Sequence, residues 1–375
     1  MSNCLWPNRL ITLDVSRGFA ALAVVLWHWQ HFAYNGSSPP EYFDIASQPL
    51  YAILRIFYEK GHMAVAYFFI LSGFIFFWLY RSSIEKRNTS FGNFWVQRFS
   101  RLYPLHIITL LIVALLQIVY ISHNGSYFVY PFNDMYHFFL NLGFVPKFGF
   151  ESGWSFNAPV FTVSFEIFMY FVFFIVAYNH QGKHSLFCLG ISVISFAILF
   201  FVEHGIFKGL TLFFLGGFVF HLTFVVSTKL HRLKIVIYII AALCWLLTIV
   251  NFYIFNLSYF ILEFGLIGKI FLFGFPYAIL FPFTVCSLAL IEIDKGQFLK
   301  SISWIGDITY SSYLLHFPLQ LVFGLALSYG ILNSDFYLNP IYLVVFFLIL
   351  IPLSYITFIG FERPIQNIIR NQYRR

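Results

Sequence analysis

Arg17 and His28 stand eleven positions apart in an otherwise apolar run near the start of the chain. Eleven steps of about 100° close three turns with about 20° to spare, so a helix carries both on one face, roughly 16 Å apart along its axis. Asp14, three residues before Arg17, shares that face. An imidazole suits proton transfer near neutral pH, and a guanidinium suits a carboxylate or phosphate. Further along, Glu166 interrupts the apolar stretch from Phe161 to Tyr170, and His316 follows Ser312 and Tyr313 by one turn. Arg98 and Arg101 sit three apart, at the spacing of one helix face. A histidine and a carboxylate meeting at one depth from two helices are the beginning of an acid–base site, which makes His28 and Glu166 the catalytic candidates. The plainer alternatives are an Asp14–Arg17 ion pair at a helix end, a His28 hydrogen-bonded to a neighbouring helix, and a His316 satisfied by Ser312 or Tyr313. For Arg98 and Arg101 the choice lies between anchoring lipid phosphate and binding, with Arg17, the phosphates of a soluble donor.

The elements that must carry these residues are read from composition. Of 375 residues, 60% are hydrophobic and only 10% charged, against about 25% charged in a soluble domain. So little charge cannot coat a water-exposed surface, which excludes a soluble, disordered or nucleic-acid-wrapping chain. A bilayer core of about 30 Å needs roughly 20 apolar residues per helix. Ten stretches qualify: 14–34, 61–80, 104–122, 158–178, 185–203, 207–226, 235–255, 269–291, 304–329 and 341–361. The expected fold is an all-α polytopic bundle, 1–375 as a single membrane domain with no appended soluble domain. On the side of the termini lie seventeen of the 22 Lys and Arg, so both termini are expected in the cytoplasm and the basic balance is mostly a record of topology. Cys4, Cys188, Cys244 and Cys286 are widely spaced and read as core fillers, and no metal-ligand spacing is present.

Three segments need a finer reading. Ser72-Gly73 falls near the middle of the second span, where small residues let helices approach closely or line a narrow substrate tunnel. Phe91 to Leu102 has the apolar spacing of a helix lying in the membrane interface. The outward segments 35–60 and 123–157 are rich in aromatic, Asn, Gly and Pro residues, fit either to bind a sugar polymer or to fold over the helix ends.

Taken in order, Arg17-x10-His28, Ser72-Gly73-Phe74, Arg98-x-x-Arg101 with Pro104, Thr162-x-x-x-Glu166-x-x-x-Tyr170, Tyr313-x-x-His316 and Glu362-Arg363-Pro364 resemble the acyltransferase-3 family of membrane O-acyltransferases. The likeness covers nearly the whole chain. It departs at Phe161, where the family usually has Trp, although Trp154 lies just upstream. The resemblance implies a cytoplasmic acyl-CoA donor, most often acetyl-CoA, and a hydroxyl acceptor at the outer face of a bacterial inner membrane. That acceptor would be an envelope glycan or lipid-linked sugar, such as lipopolysaccharide, capsule or exopolysaccharide, with no metal and no nucleic acid involved. On this reading Arg17, Arg98 and Arg101 hold CoA, Ser72 and Gly73 border its tunnel, and His28 is the general base. Glu166 orients His28 or stabilises its imidazolium, with Asp14, Tyr313 and His316 in support; acylation of His28 itself is the alternative path. The competing class is a transporter or flippase using the buried His, Glu and Arg as a proton path. Its usual inverted repeats are not evident, although Gly216-Gly217 and Gly274-x-Pro276 are expected to interrupt two helices.

Overall fold

A computed structural model describes residues 6–34 and 36–374; Cys4 lies outside them. The described residues form helices and connecting turns with no strand. The principal helices are α1 (Ile11–His28), α2 (Ala64–Leu79), α3 (Phe91–Asn124), α4 (Phe161–Tyr178), α5 (Ser185–Ile198), α6 (Gly205–Thr228), α7 (Leu233–Tyr253), α8 (Phe281–Lys295), α9 (Thr309–Ser328), α10 (Pro340–Thr357) and α11 (Arg363–Arg374). Nine helical spans among the described residues are long and apolar enough to cross a membrane, and the fifth expected span is the shorter apolar α5. The chain is thus an all-α, multi-pass membrane protein. Where an interfacial helix and then a third span were expected, α3 is a single helix that continues through Pro104. Its first turn is capped by Ser90, whose hydroxyl accepts from the Asn93 N–H at 3.2 Å.

Two compact units interleave along the sequence. The first is drawn from Met1–Ala20, Met63–Thr89 and Met169–Gly306. Its centre is the α2–α6 pair, and the glycines explain how close that pair is. A Cβ on Gly73 would stand 1.8 Å from the Phe213 carbonyl oxygen, and one on Gly216 would stand 2.0 Å from that of Ile70. Each helix therefore presses its backbone into the other's glycine. The expected interruption at Gly216-Gly217 is absent because α6 runs straight through it; the pair permits contact rather than a break. Gly274 and Pro276 do mark a change of winding, a π-helical turn from Pro276 to Leu280. Rings complete the packing, with Phe76 stacked on Tyr170 at 4.1 Å. At the start of α1, the buried Glu292 accepts the Thr12 N–H at 2.7 Å. Cys188, Cys244 and Cys286 are buried free thiols.

The second unit is drawn from Ala21–His62, Ser90–Phe168 and Asp307–Arg375. In it α9 packs against α3 and α10, and α11 lies along α3. Trp29 anchors the core: its indole N–H donates to the Tyr337 carbonyl at 2.9 Å, and its ring meets Phe32 and Phe346 edge-on. The segment 123–157 is tied down by side chains that replace missing backbone partners. Gln117 brackets Phe128, donating to its carbonyl and accepting its N–H. Asn133 accepts the Phe156 N–H at 2.6 Å. Asp134 caps the helix Met135–Leu142, and the His137 N–H it accepts holds its carboxyl below the ordinary range.

The glycine contact makes a clear prediction. Replacing Gly73 with Ala forces α2 and α6 apart and should cost about 1–3 kcal/mol of overpacking, lowering the thermal unfolding midpoint of the detergent-solubilised protein. Gly190→Ala in α5, where nothing lies within 4 Å, should leave that midpoint unchanged.

Candidate functional site

The catalytic candidates lie in the second unit, and α9 positions them. Pro318 sits within α9 and supplies no N–H to the Leu314 carbonyl one turn earlier. The Asn157 side-chain amide fills that gap, donating Nδ2–H to the Leu314 oxygen at 3.0 Å. This holds the turn that leads into α4 against α9 beside Pro318. A few residues later, the Tyr313 hydroxyl donates to the Pro159 carbonyl at 3.0 Å and pairs with the Thr162 hydroxyl at 2.9 Å. Tyr313 therefore serves α4 rather than His316.

His316 is fully buried, and its Nδ1 lies 2.6 Å from the Tyr313 carbonyl oxygen. A carbonyl can only accept, so Nδ1 carries the proton and the neutral ring offers a lone pair at Nε2. That Nε2 is 3.0 Å from His28 Nδ1. His28 Nδ1 must then be the donor, which leaves His28 Nε2 as a lone pair. Among the described residues, none hydrogen-bonds to it. An imidazole held in this tautomer by a second imidazole has the orientation that a general base requires and that an acid normally enforces.

The structure thus revises two expectations. His28 is oriented by His316, not by Glu166. Glu166 lies instead within electrostatic reach of the hydroxyls of Tyr310 and Tyr313. His316 is satisfied by the backbone of Tyr313 and by His28, while the Ser312 hydroxyl turns back to the Thr309 carbonyl. Tyr310 donates to the Leu102 carbonyl at 2.6 Å and feels the charges of Glu362, Glu166 and Arg101. Glu362 is buried in a π-helical turn from Phe358 to Glu362, where it accepts from the Ser311 hydroxyl at 2.7 Å. Arg98 is buried on α3. Arg370 of α11 ties down the same turn by donating to the Gln97 carbonyl at 3.0 Å.

The remaining candidates belong to the first unit. Arg17 Nη2 lies 3.4 Å from Asp14 Oδ1 and donates to the Gly306 carbonyl at 3.3 Å. Asp14 also accepts from Arg9 Nε at 2.6 Å. The Cβ direction of Gly73 is filled by the Phe213 backbone, which matches the close-approach reading. Ser72 is half-buried beside it.

Sequence reasoning missed His31, Gln320 and Asn157. Gln320 Nε2 donates to the His28 carbonyl at 2.7 Å, and its Oε1 lies 3.3 Å from His31 Nδ1. Spacing alone could have found two of them, since His31 is three residues after His28 and Gln320 four after His316. Asn157 had no signal except as the donor that a proline-containing helix requires. Among the described residues, no group of three or more His, Cys, Asp or Glu is arranged to hold a metal ion.

The site thus centres on a buried, hydrogen-bonded histidine pair inside a multi-pass helical bundle. Residues 10–359 match the acyltransferase-3 family profile, described as an acyltransferase domain, and the chain belongs to that family. It is similar to acyltransferase MdmB of Streptomyces mycarofaciens, 35% identical over 108 residues that make up 29% of this chain and 24% of the relative. It is also similar to protein 2 in the picA locus of Rhizobium radiobacter, 32% identical over 108 residues, 29% of this chain and 46% of that one. The matched stretch therefore spans less than half the length of either curated relative. No solved structure matches the chain.

The proline within α9 supplies a test of this local architecture. Asn157→Leu strands the Leu314 carbonyl and should cost roughly 1–3 kcal/mol. In a Pro318→Ala background, where the helix supplies its own donor, the same replacement should cost much less. Thermal unfolding of the two single variants and the double variant measures the coupling.

Proposed function

We propose that this protein is an O-acyltransferase that moves an acyl group, acetyl in the first instance, from acyl-CoA to a hydroxyl of an envelope or exported glycan. Membership of the acyltransferase-3 family supports the reaction class, and the uncommitted Nε2 of His28, set by its hydrogen bond to His316, carries the mechanism. His28 Nε2 takes the proton of the acceptor hydroxyl as its oxygen attacks the thioester carbonyl carbon. The carbon–sulfur bond then breaks, and the departing CoA thiolate recovers that proton from His28. His316 accepts from His28 Nδ1 throughout and stabilises the transient imidazolium.

Arg98 and Arg101 bind donor phosphates in this reading, since guanidinium groups pair with phosphate in a fixed fork geometry. Arg17, held by Asp14, is a candidate phosphate contact of the first unit, where Ser72 is a candidate donor contact. Glu166 acts on Tyr310 and Tyr313 rather than on the transferred proton. The basic residues concentrate on the side of the termini, which supports placing both termini and the donor in the cytoplasm of a bacterial cell, with the chain in its inner membrane.

The decisive experiment incubates membranes containing the full chain with radiolabelled acetyl-CoA and extracted envelope glycan. Label should appear on the glycan, and His28→Ala should reduce the rate by about 10² to 10⁴-fold, the usual worth of a positioned base. Undiminished transfer by that variant would remove His28 from the mechanism. Arg98→Ala and Arg101→Ala should each raise the acetyl-CoA KM roughly tenfold or more; unchanged values would leave these residues as lipid anchors.

A further inference from the structure

We propose that His31 completes the acceptor site, its Nε2 accepting a hydrogen bond from the hydroxyl adjacent to the one that is acylated, so that the acceptor is a vicinal diol. This rests on the acyl-transfer reading above and adds the class of alcohol that the site selects.

Gln320 carries the argument. Its amide must donate Nε2–H to the His28 carbonyl, so the group facing His31 Nδ1 is the acceptor Oε1. His31 Nδ1 is therefore the protonated nitrogen, and His31 Nε2 is a lone pair without a hydrogen-bond partner among the described residues. The same logic, run through Tyr313 and His316, leaves His28 Nε2 as a lone pair. The chain thus fixes two neighbouring imidazoles in the same tautomer by two separate hydrogen-bond paths. One such ring suffices to deprotonate a hydroxyl.

The two rings lie side by side with their planes tilted by 44°. His316 and Gln320, which hold the two Nδ1 edges, lie one turn apart on α9, so both Nε2 edges turn away from that helix. The ring centroids are 4.7 Å apart. Neighbouring gauche hydroxyls on a sugar ring have oxygens about 3 Å apart, close enough for each to meet one of these nitrogens at an ordinary hydrogen-bond distance. An isolated alcohol would leave His31 Nε2 desolvated and unmatched.

The surroundings suit a pyranose. Trp27 lies 4.9 Å from His28, and Tyr34 and Tyr130 lie 5.0 and 5.7 Å from His31, all edge-on. These rings offer apolar surface to sugar C–H groups. Burial raises the phenols of Tyr34 and Tyr130, which stay protonated and able to donate. The site therefore combines two fixed acceptors with two phenolic donors.

Periodate tests the proposal, because it cleaves vicinal diols and spares isolated hydroxyls. Membranes with the full chain receive radiolabelled acetyl-CoA and envelope glycan, either untreated or exhaustively oxidised with periodate and reduced. The expected result is labelling of the untreated glycan and loss of at least nine-tenths of it after oxidation. Undiminished labelling of the oxidised glycan overturns the vicinal-diol proposal and leaves acyl transfer standing, whereas no labelling of either glycan overturns both. In parallel, His31→Phe should raise the glycan KM about tenfold with the acetyl-CoA KM unchanged. An unchanged glycan KM removes His31 from the acceptor site.

Discussion

The hydrogen bond from His316 Nδ1 to the Tyr313 carbonyl joins two residues of one helix turn, yet it decides the chemistry of a residue on another helix. By fixing the proton on one edge of His316 it makes the other edge an acceptor, and that acceptor in turn dictates which nitrogen of His28 is bare. In water such a preference would be small, because either tautomer finds partners. In an apolar interior an unmatched nitrogen costs free energy comparable to a lost hydrogen bond, so the network has one low-energy assignment. His316 stands where an acidic side chain stands in a hydrolase triad, and the Tyr313 carbonyl fixes its tautomer without introducing a buried charge.

The rest of the second unit holds this turn still. Pro318, just beyond His316, leaves the Leu314 carbonyl without its helical donor, and Asn157 fills that gap from the turn that precedes α4. Tyr313 uses its hydroxyl on the same helix start, while Ser311 engages the buried Glu362. Side chains of α9 thus engage several different neighbours, which fixes rotation as well as position. A helix packed only through leucines would be freer to turn.

Much of this was legible in the sequence. Low charge and long apolar runs imply the polytopic bundle, and intramembrane ionisable residues point to Arg17, His28 and Glu166 because such groups are expensive in lipid. Depth, however, is a one-dimensional reading. Glu166 and His28 were assigned similar depths, but contact also requires facing one another, and that azimuth depends on helix packing that periodicity does not encode. The partnership of His28 with His316 arises for the same reason, since a relation between residues 288 positions apart leaves no local trace. Gly73 shows the reverse case: the type of residue was informative and its meaning, contact or cavity, rested on what stood opposite.

Both imidazole tautomers are templated by a single helix face, through His316 and Gln320. A shift of α9 by one residue in either direction would present Leu315 and Leu319, or Phe317 and Leu321, in their place. Neither pair has a polar atom in its side chain, so His28 and His31 would lose their orientation together. Rotation of α9 is therefore an all-or-none coordinate for the site, in which the base and the group beside it are aligned or released as one.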